Sequence, residues 1–173
     1  MRYILDTYIR AEDSNVISEM GNMSLVELLL QGKTTTPIDL VKGLPGNDTA
    51  KAETIENNLQ HEIVKKMSSN SVYYGKLSEM LQKIITQRKI EAMSYEEYLR
   101  QVVEMAEAIL HPEDSGNYPD EIKDSAARRA LFDYFESDVD LTIDVDSAIR
   151  MSIEPAWKKN FQKQQRIRLA IYK

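Results

Sequence analysis

Residues 49–68 read TAKAETIENNLQHEIVKKMS and carry the clearest structural signal in the chain. The apolar side chains in this stretch recur at intervals of three, four, four and four, at Ala52, Ile55, Leu59, Ile63 and Met67. This spacing places them along one side of an α-helix, with polar residues around the rest of its surface. An isolated helix of this kind is marginal in water, so the stripe predicts packing against other helices.

The segments that follow repeat the pattern. A second helix is predicted over residues 72–93, and its expected inner face consists of Tyr74, Leu77, Leu81, Ile84 and Arg88. A third helix starts at a capping box, in which Ser94 is the N-cap and Glu97 is the third helical residue. Its expected inner face consists of Tyr98, Val102, Met105, Ala106 and Ile109.

Shorter helices are predicted on both sides of these three. Those before them cover residues 2–12, 24–32 and 36–43, and those after them cover residues 125–135, 138–151 and 160–172. The expected inner faces of the last three are Leu131, Tyr134 and Phe135; then Leu141, Val145, Ala148 and Ile149; then Phe161, Ile167, Ala170 and Ile171. No stretch combines period-two alternation with β-branched residues and a hairpin turn. The predicted fold is therefore all-α, an irregular bundle of about seven to nine helices without a sheet.

One break divides the chain. Residues 111–119 contain two prolines and a glycine, which interrupt helices. We therefore expect a main helical lobe at 1–111, a hinge loop at 112–124 and a C-terminal helical lobe at 125–173. The residues after the break are too few for a comfortable core of their own, so both lobes are assigned to one domain.

Composition narrows the classes of protein. The 173 residues are 42% hydrophobic and 29% charged, which is enough apolar material for a folded core. The chain has no cysteine, which excludes disulfides, thiol chemistry and cysteine zinc sites, and it has two histidines, His61 and His111. No apolar run approaches the ~20 residues that span a bilayer. We expect a cytoplasmic protein or fragment.

Charge is distributed unevenly along the chain. The total of 22 basic and 28 acidic residues gives a net charge of −6, but residues 155–173 hold six basic residues and no acidic one. The first 154 residues therefore carry 16 − 28 = −12. An acidic body with a basic tail suggests a charged partner.

The candidate partner-binding residues of this tail are Trp157, Lys158, Lys159, Asn160, Lys163, Arg166 and Arg168. The spacing of Lys159, Lys163 and Arg166 predicts a shared helical face, with Arg168 pointing elsewhere. Three interpretations stay open: a solvated face that closes against the acidic body, a docking surface for a protein, or a phosphate contact. Trp157 would be either a binding anchor or a plug in the core.

Two catalytic motifs are present only in part. Gly32-Lys33-Thr34 matches the end of a phosphate-binding loop, but Glu27 occupies the position of the first glycine and would repel phosphate. Residues 119–123, PDEIK, contain the letters of a PD-(D/E)xK nuclease site, but they are too close together to lie on two neighbouring strands. They are predicted to form a polar turn that enters a helix.

A calcium loop is also excluded. An EF-hand that starts at Asp138 would need glycine and glutamate where the chain has Ile143 and Ile149. The acidic residues of 138–146 are instead expected to be solvated near the start of a helix, where they favour its dipole. No catalytic, cofactor-binding or metal-binding residue is predicted.

Ordered short stretches of the chain resemble one known family. They are residues 1–14 (MRYILDTYIRAEDS), 52–58 (AETIENN), 73–74, 76–79, 87–88, 118–119 with Ile122, 130–133 (ALFD), 146–150 (DSAIR), and 157–160 (WKKN) with Lys163. In this order they resemble the region beyond the motor core of the R (restriction) subunit of type I restriction–modification enzymes. The resemblance covers essentially the whole chain.

This resemblance implies a C-terminal helical domain of a larger subunit. The complete subunit would be an ATP-dependent and Mg²⁺-dependent deoxyribonuclease, and this region would be a non-catalytic module without cofactors of its own. It would dock the DNA-translocating motor onto the methyltransferase (M) and specificity (S) subunits. The alternative is a module that contacts duplex DNA phosphates through the basic tail, without sequence specificity.

Overall fold

The computed structural model describes residues 46–115 and 117–171, and this part of the chain is helical without any strand. Its eight α-helices are α1 (Asp48–Lys66), α2 (Ser71–Lys89), α3 (Tyr95–Leu110), α4 (Pro112–Ser115), α5 (Asp120–Lys123), α6 (Ala126–Tyr134), α7 (Val139–Ser152) and α8 (Phe161–Ile171). A 3₁₀ turn, Trp157–Lys159, precedes α8. The all-α prediction is confirmed. The helices predicted before residue 46, and the Gly32-Lys33-Thr34 stretch, lie outside the described residues.

Polar side chains start the three long helices. The side chains of Asn47 and Asn70 accept hydrogen bonds from backbone N–H groups in the first turns of α1 and α2. Ser94 does the same for the N–H of Glu97 at 3.2 Å, which confirms the predicted start of α3. These caps satisfy amide groups that have no partner within the helix. The carboxylate of Glu97 binds the side chains of Arg100 and Gln101.

The helices α1, α2 and α3 pack as a three-helix bundle around one apolar core. The core contains the predicted inner faces of all three helices except Met67 and Arg88, which are half-buried at its edge. Its members are Ala52, Ile55, Leu59, Ile63, Tyr74, Leu77, Leu81, Ile84, Tyr98, Leu99, Val102, Met105, Ala106 and Ile109. The regular spacing of these residues in the sequence therefore predicts the bundle correctly.

A charged pair lies at the edge of this core. Arg88 donates from Nε to Glu56 Oε1 at 2.6 Å and from Nη2 to Glu56 Oε2 at 3.1 Å, which links α2 to α1 in a bidentate pair. The guanidinium group also lies 5.7 Å from the centre of the Tyr98 ring. The Tyr98 hydroxyl donates to the carbonyl of Ala52 at 3.2 Å, and burial raises the pKa of this hydroxyl. Arg88 can therefore lie on the inner face of α2, because Glu56 neutralises its charge.

The second lobe packs on the bundle through α2. The helix α6 lies against α2, α7 against α6, and α8 against α7. At the junction, Asp133 Oδ2 accepts hydrogen bonds from Asn70 Nδ2 and from the Tyr118 hydroxyl, both at 2.6 Å. The predicted hinge, residues 112–124, contains the short helices α4 and α5, and its Ile122 is fully buried.

The inner faces predicted for the three helices of the second lobe are partly wrong. In α6 the buried aromatic residue is Phe132, whereas Tyr134 is 69% exposed. Val145 and Ile167 are buried as expected, but Leu141 and Phe161 are exposed. In α7 the polar residues Thr142 and Asp146 occupy inner positions, because each has hydrogen-bond partners there.

The bundle core yields a direct prediction for stability. Leu59 is fully buried on α1, whereas Val64 on the same helix is 59% exposed. Replacement of Leu59 by Ala removes buried methyl groups and leaves a cavity, so the free energy of unfolding should fall by about 2–5 kcal/mol. Urea denaturation measures this change. Val64→Ala is the matched control and should change it by less than about 0.5 kcal/mol; equal losses would contradict the assigned core.

Candidate partner-binding surface

The predicted partner-binding residues begin in a turn that leads into α8. Ala156 has a left-handed backbone conformation, with φ of 59°, and Trp157–Lys159 form the 3₁₀ turn. The Asn160 side chain accepts a hydrogen bond from the backbone N–H of Lys163 at 3.2 Å. Asn160 therefore caps the start of α8, which gives it a structural role within the surface.

Glu154 forms ion pairs with two of the basic residues. Its carboxylate lies 2.7 Å from Arg166 Nη1 and 3.3 Å from Lys163 Nζ. The hydrogen bonds from Arg166 and then Lys163 hold the pKa of Glu154 below its usual value. Lys163 Nζ also donates to the carbonyl of Pro155 at 2.8 Å. Lys163 and Arg166 thus stabilise the connection between α7 and α8.

The arrangement of the basic side chains differs from the prediction. Lys159 lies in the 3₁₀ turn before α8, so the expected helical face of Lys159, Lys163 and Arg166 is wrong. The cations of Lys158, Lys159 and Arg168 are exposed and form no ion pair with another described residue. Lys158 Nζ lies 5.9 Å from the centre of the Trp157 ring. Trp157 is half-buried, so it does not fill the core.

Two large apolar side chains share this surface. Phe161 and Leu169 on α8 are 70% and 64% exposed, and the buried side of the helix is marked by Ile167. Sequence reasoning placed Phe161 on the inner face and did not single out Leu169. The sequence contains one signal that could have identified this surface. Phe161, Gln165 and Leu169 are four residues apart, so they form a second row along the helix.

A buried carboxylate connects α7 to α6. Asp146 is 3% exposed, and its Oδ2 lies 2.7 Å from Arg128 Nε and 2.8 Å from Arg150 Nε. Burial alone would raise the pKa of Asp146, but the hydrogen bonds from Arg150 and Arg128 outweigh it and lower the pKa. The prediction that the acidic residues of this helix are solvated is therefore wrong at Asp146.

A second acidic cluster lies at the end of α3. A ring nitrogen of His111 and one carboxylate oxygen each of Glu113 and Asp114 lie within 4.8 Å of one another, close enough to be ligands of one metal ion. Glu113 is 3.6 Å from Arg129 and Asp114 is 3.2 Å from Lys123. The two carboxylates therefore already hold the segment between the lobes through ion pairs. His111 is also the C-cap of α3.

Comparison with known proteins gives no match: no protein-family model, curated protein or solved structure is significantly similar to the chain. Among the described helices, none combines the length and apolar character that crossing a membrane requires.

The buried pair at Asp146 predicts a loss of stability when its charge is removed. Asp146→Asn leaves Arg128 without its partner, so the free energy of unfolding should fall by about 1–3 kcal/mol at pH 7 in urea denaturation. Asp144→Asn is the matched control, because Asp144 is an exposed neighbour on the same helix. Equal behaviour of the two variants would contradict the assigned role of Asp146.

The same pair predicts a dependence on pH. Because the pKa of Asp146 is lower in the folded state than its ordinary value of 3.8, its ionised form stabilises the fold above that value. The stability difference between Asp146→Asn and wild type should be constant near neutral pH. It should shrink as the pH falls below about 4 and Asp146 of the wild type becomes protonated. A difference that grew on acidification would contradict this account.

Proposed function

We propose that this chain is a non-catalytic assembly module of a type I restriction–modification enzyme. It docks the DNA-translocating restriction subunit onto the core formed by the methyltransferase and specificity subunits. The contact is the tail surface, which we define as Trp157, Lys158, Lys159, Asn160, Lys163, Arg166 and Arg168. The observation that carries the proposal is that α8 and the turn before it hold exposed apolar side chains together with cations that have no ion pair among the described residues.

The distribution of exposed apolar residues supports a protein partner. Of the ten large hydrophobic residues that are exposed in the described part of the chain, seven lie between residues 134 and 171. They are Tyr134, Leu141, Met151, Ile153, Phe161, Leu169 and Ile171. Clusters of exposed apolar side chains are typical of surfaces that bind other proteins. In the three-helix bundle, in contrast, the regularly spaced apolar residues are buried in the core.

The resemblance to the R subunit gives the proposal its biological context. The similar stretches include residues 157–160 and Lys163, which belong to the tail surface. The proposal assigns no chemical step to this chain, and it places ATP, Mg²⁺ and DNA cleavage in the rest of the parent subunit. The expected cellular location is the cytoplasm, where such an enzyme would meet foreign DNA.

Binding to the methyltransferase–specificity core tests the proposal. The 173-residue chain should bind this core, and Lys158→Glu, Lys159→Glu and Arg168→Glu together should weaken binding at least about tenfold by repelling an acidic partner. The matched control reverses three exposed lysines of α2, through Lys76→Glu, Lys83→Glu and Lys89→Glu. Wild-type chain that fails to bind, or equal weakening by both triple variants, would contradict the docking role of the tail surface.

Contact with duplex DNA is the second candidate, and the unpaired cations of Lys158, Lys159 and Arg168 favour it. Three phosphate contacts would give a slope of about −2.7 when the logarithm of the binding constant is plotted against the logarithm of salt concentration. The docking proposal predicts no measurable duplex binding at physiological salt, because exposed Phe161 and Leu169 have no phosphate contact to make. Binding with the slope above, lost in the Lys158, Lys159 and Arg168 triple variant, would support the DNA alternative.

A further inference from the structure

The exposed side of α8 has a defined shape. Phe161, Gln165 and Leu169 follow each other at intervals of four residues, so they form one row along the helix surface, with exposed Phe161 and Leu169 on either side of half-buried Gln165. The row runs opposite the side that buries Ile167 against the lobe, and its two apolar members lie ~12 Å apart along the axis. A row at this spacing is the ridge that fits into the groove of another helix.

Basic residues lie at both ends of this row along the chain. Arg168 lies next to Leu169, and Lys158 and Lys159 precede Phe161 in the 3₁₀ turn. Lys163 and Arg166 already share an ion pair with Glu154, so the cations that have no ion pair within the described part of the chain lie at the two ends of the row. A partner that covers the row therefore meets apolar side chains in the middle and cations at both ends.

We infer that the partner element that covers α8 is an amphipathic helix with an apolar stripe and acidic residues beside it. Phe161 and Leu169 are the anchors that insert between the side chains of this helix, and Lys158, Lys159 and Arg168 pair with its acidic residues. The inference rests on the proposed function, since the helix would belong to the methyltransferase–specificity core. It also extends the contact beyond the tail surface, because the anchors Phe161 and Leu169 are apolar neighbours of that set.

The two groups of residues have different kinetic roles. Large apolar anchors at the centre of an interface stabilise the bound complex, so their loss increases the rate of dissociation. Exposed charges at the edge steer the partners together, so their reversal lowers the rate of association, most strongly at low salt. Kinetic measurements therefore separate the anchors from the flanking cations.

Surface plasmon resonance with the immobilised methyltransferase–specificity core tests this assignment on the 173-residue chain. Phe161→Ala with Leu169→Ala should raise Kd at least about tenfold, mainly through faster dissociation. The matched control is Tyr134→Ala with Met151→Ala, which removes two apolar residues of the same lobe whose exposure, 69% and 88%, is similar to or greater than that of the anchors. The control should change Kd by less than about twofold.

Two further variants complete the test. Phe161→Leu with Leu169→Met keeps apolar anchors and should bind within about threefold of wild type, which shows that the alanine pair does not act by unfolding α8. The triple reversal of Lys158, Lys159 and Arg168 to Glu should lower the association rate at least about tenfold at low salt. An unchanged association rate would overturn the acidic character of the partner helix.

The outcomes distinguish this inference from the proposed function. If the wild-type chain binds the core but the alanine pair at Phe161 and Leu169 binds equally well, the anchors are wrong and the docking role stands. Equal weakening by the control pair at Tyr134 and Met151 would also overturn the assignment to α8. If the wild-type chain does not bind the core, both the proposed function and this inference fail.

Discussion

Mutual burial of the apolar stripes on α1, α2 and α3 is the interaction on which the rest of the structure depends. None of these helices has another way to remove its stripe from water, and together they form a core whose central members are fully buried. The bundle fixes α2, and α2 in turn supports the second lobe. Asn70 at the start of α2 donates a hydrogen bond to Asp133 of α6. The helix α7 packs against α6, and α8 packs against α7. The position of the candidate surface on α8 therefore depends on the core of the three-helix bundle.

The second lobe is held together in a different way. Its contacts to the bundle and between its helices include the buried carboxylate of Asp146 and the hydrogen bonds of Asp133. Polar contacts of this kind fix geometry without covering much apolar surface. As a result, apolar side chains such as Phe161 and Leu169 remain exposed while the lobe keeps a defined shape.

Regular spacing explains how much of the fold could be predicted. Each of the three long helices repeats its inner-face residues over about three to four turns, so the inner face is unambiguous and includes Arg88. The three helices of the second lobe have 9, 14 and 11 residues, and their inner positions depend on residues of neighbouring elements. Asp146 is buried where Arg128 approaches from α6, and in α6 Phe132 rather than Tyr134 packs on Tyr118. Sequence spacing contains no information about either partner.

The sequence singles out the residues of the candidate surface but not how they pair. The concentration of basic residues directed attention to the last helix, but counting charges could not reveal that Glu154 forms ion pairs with both Lys163 and Arg166. Hydrogen–deuterium exchange of the chain, alone and with the methyltransferase–specificity core, tests the central claim most directly. Our account predicts new protection of the backbone amides of residues 157–171, with α1, α2 and α3 unchanged. Protection confined to the bundle, or no protection anywhere, would contradict it.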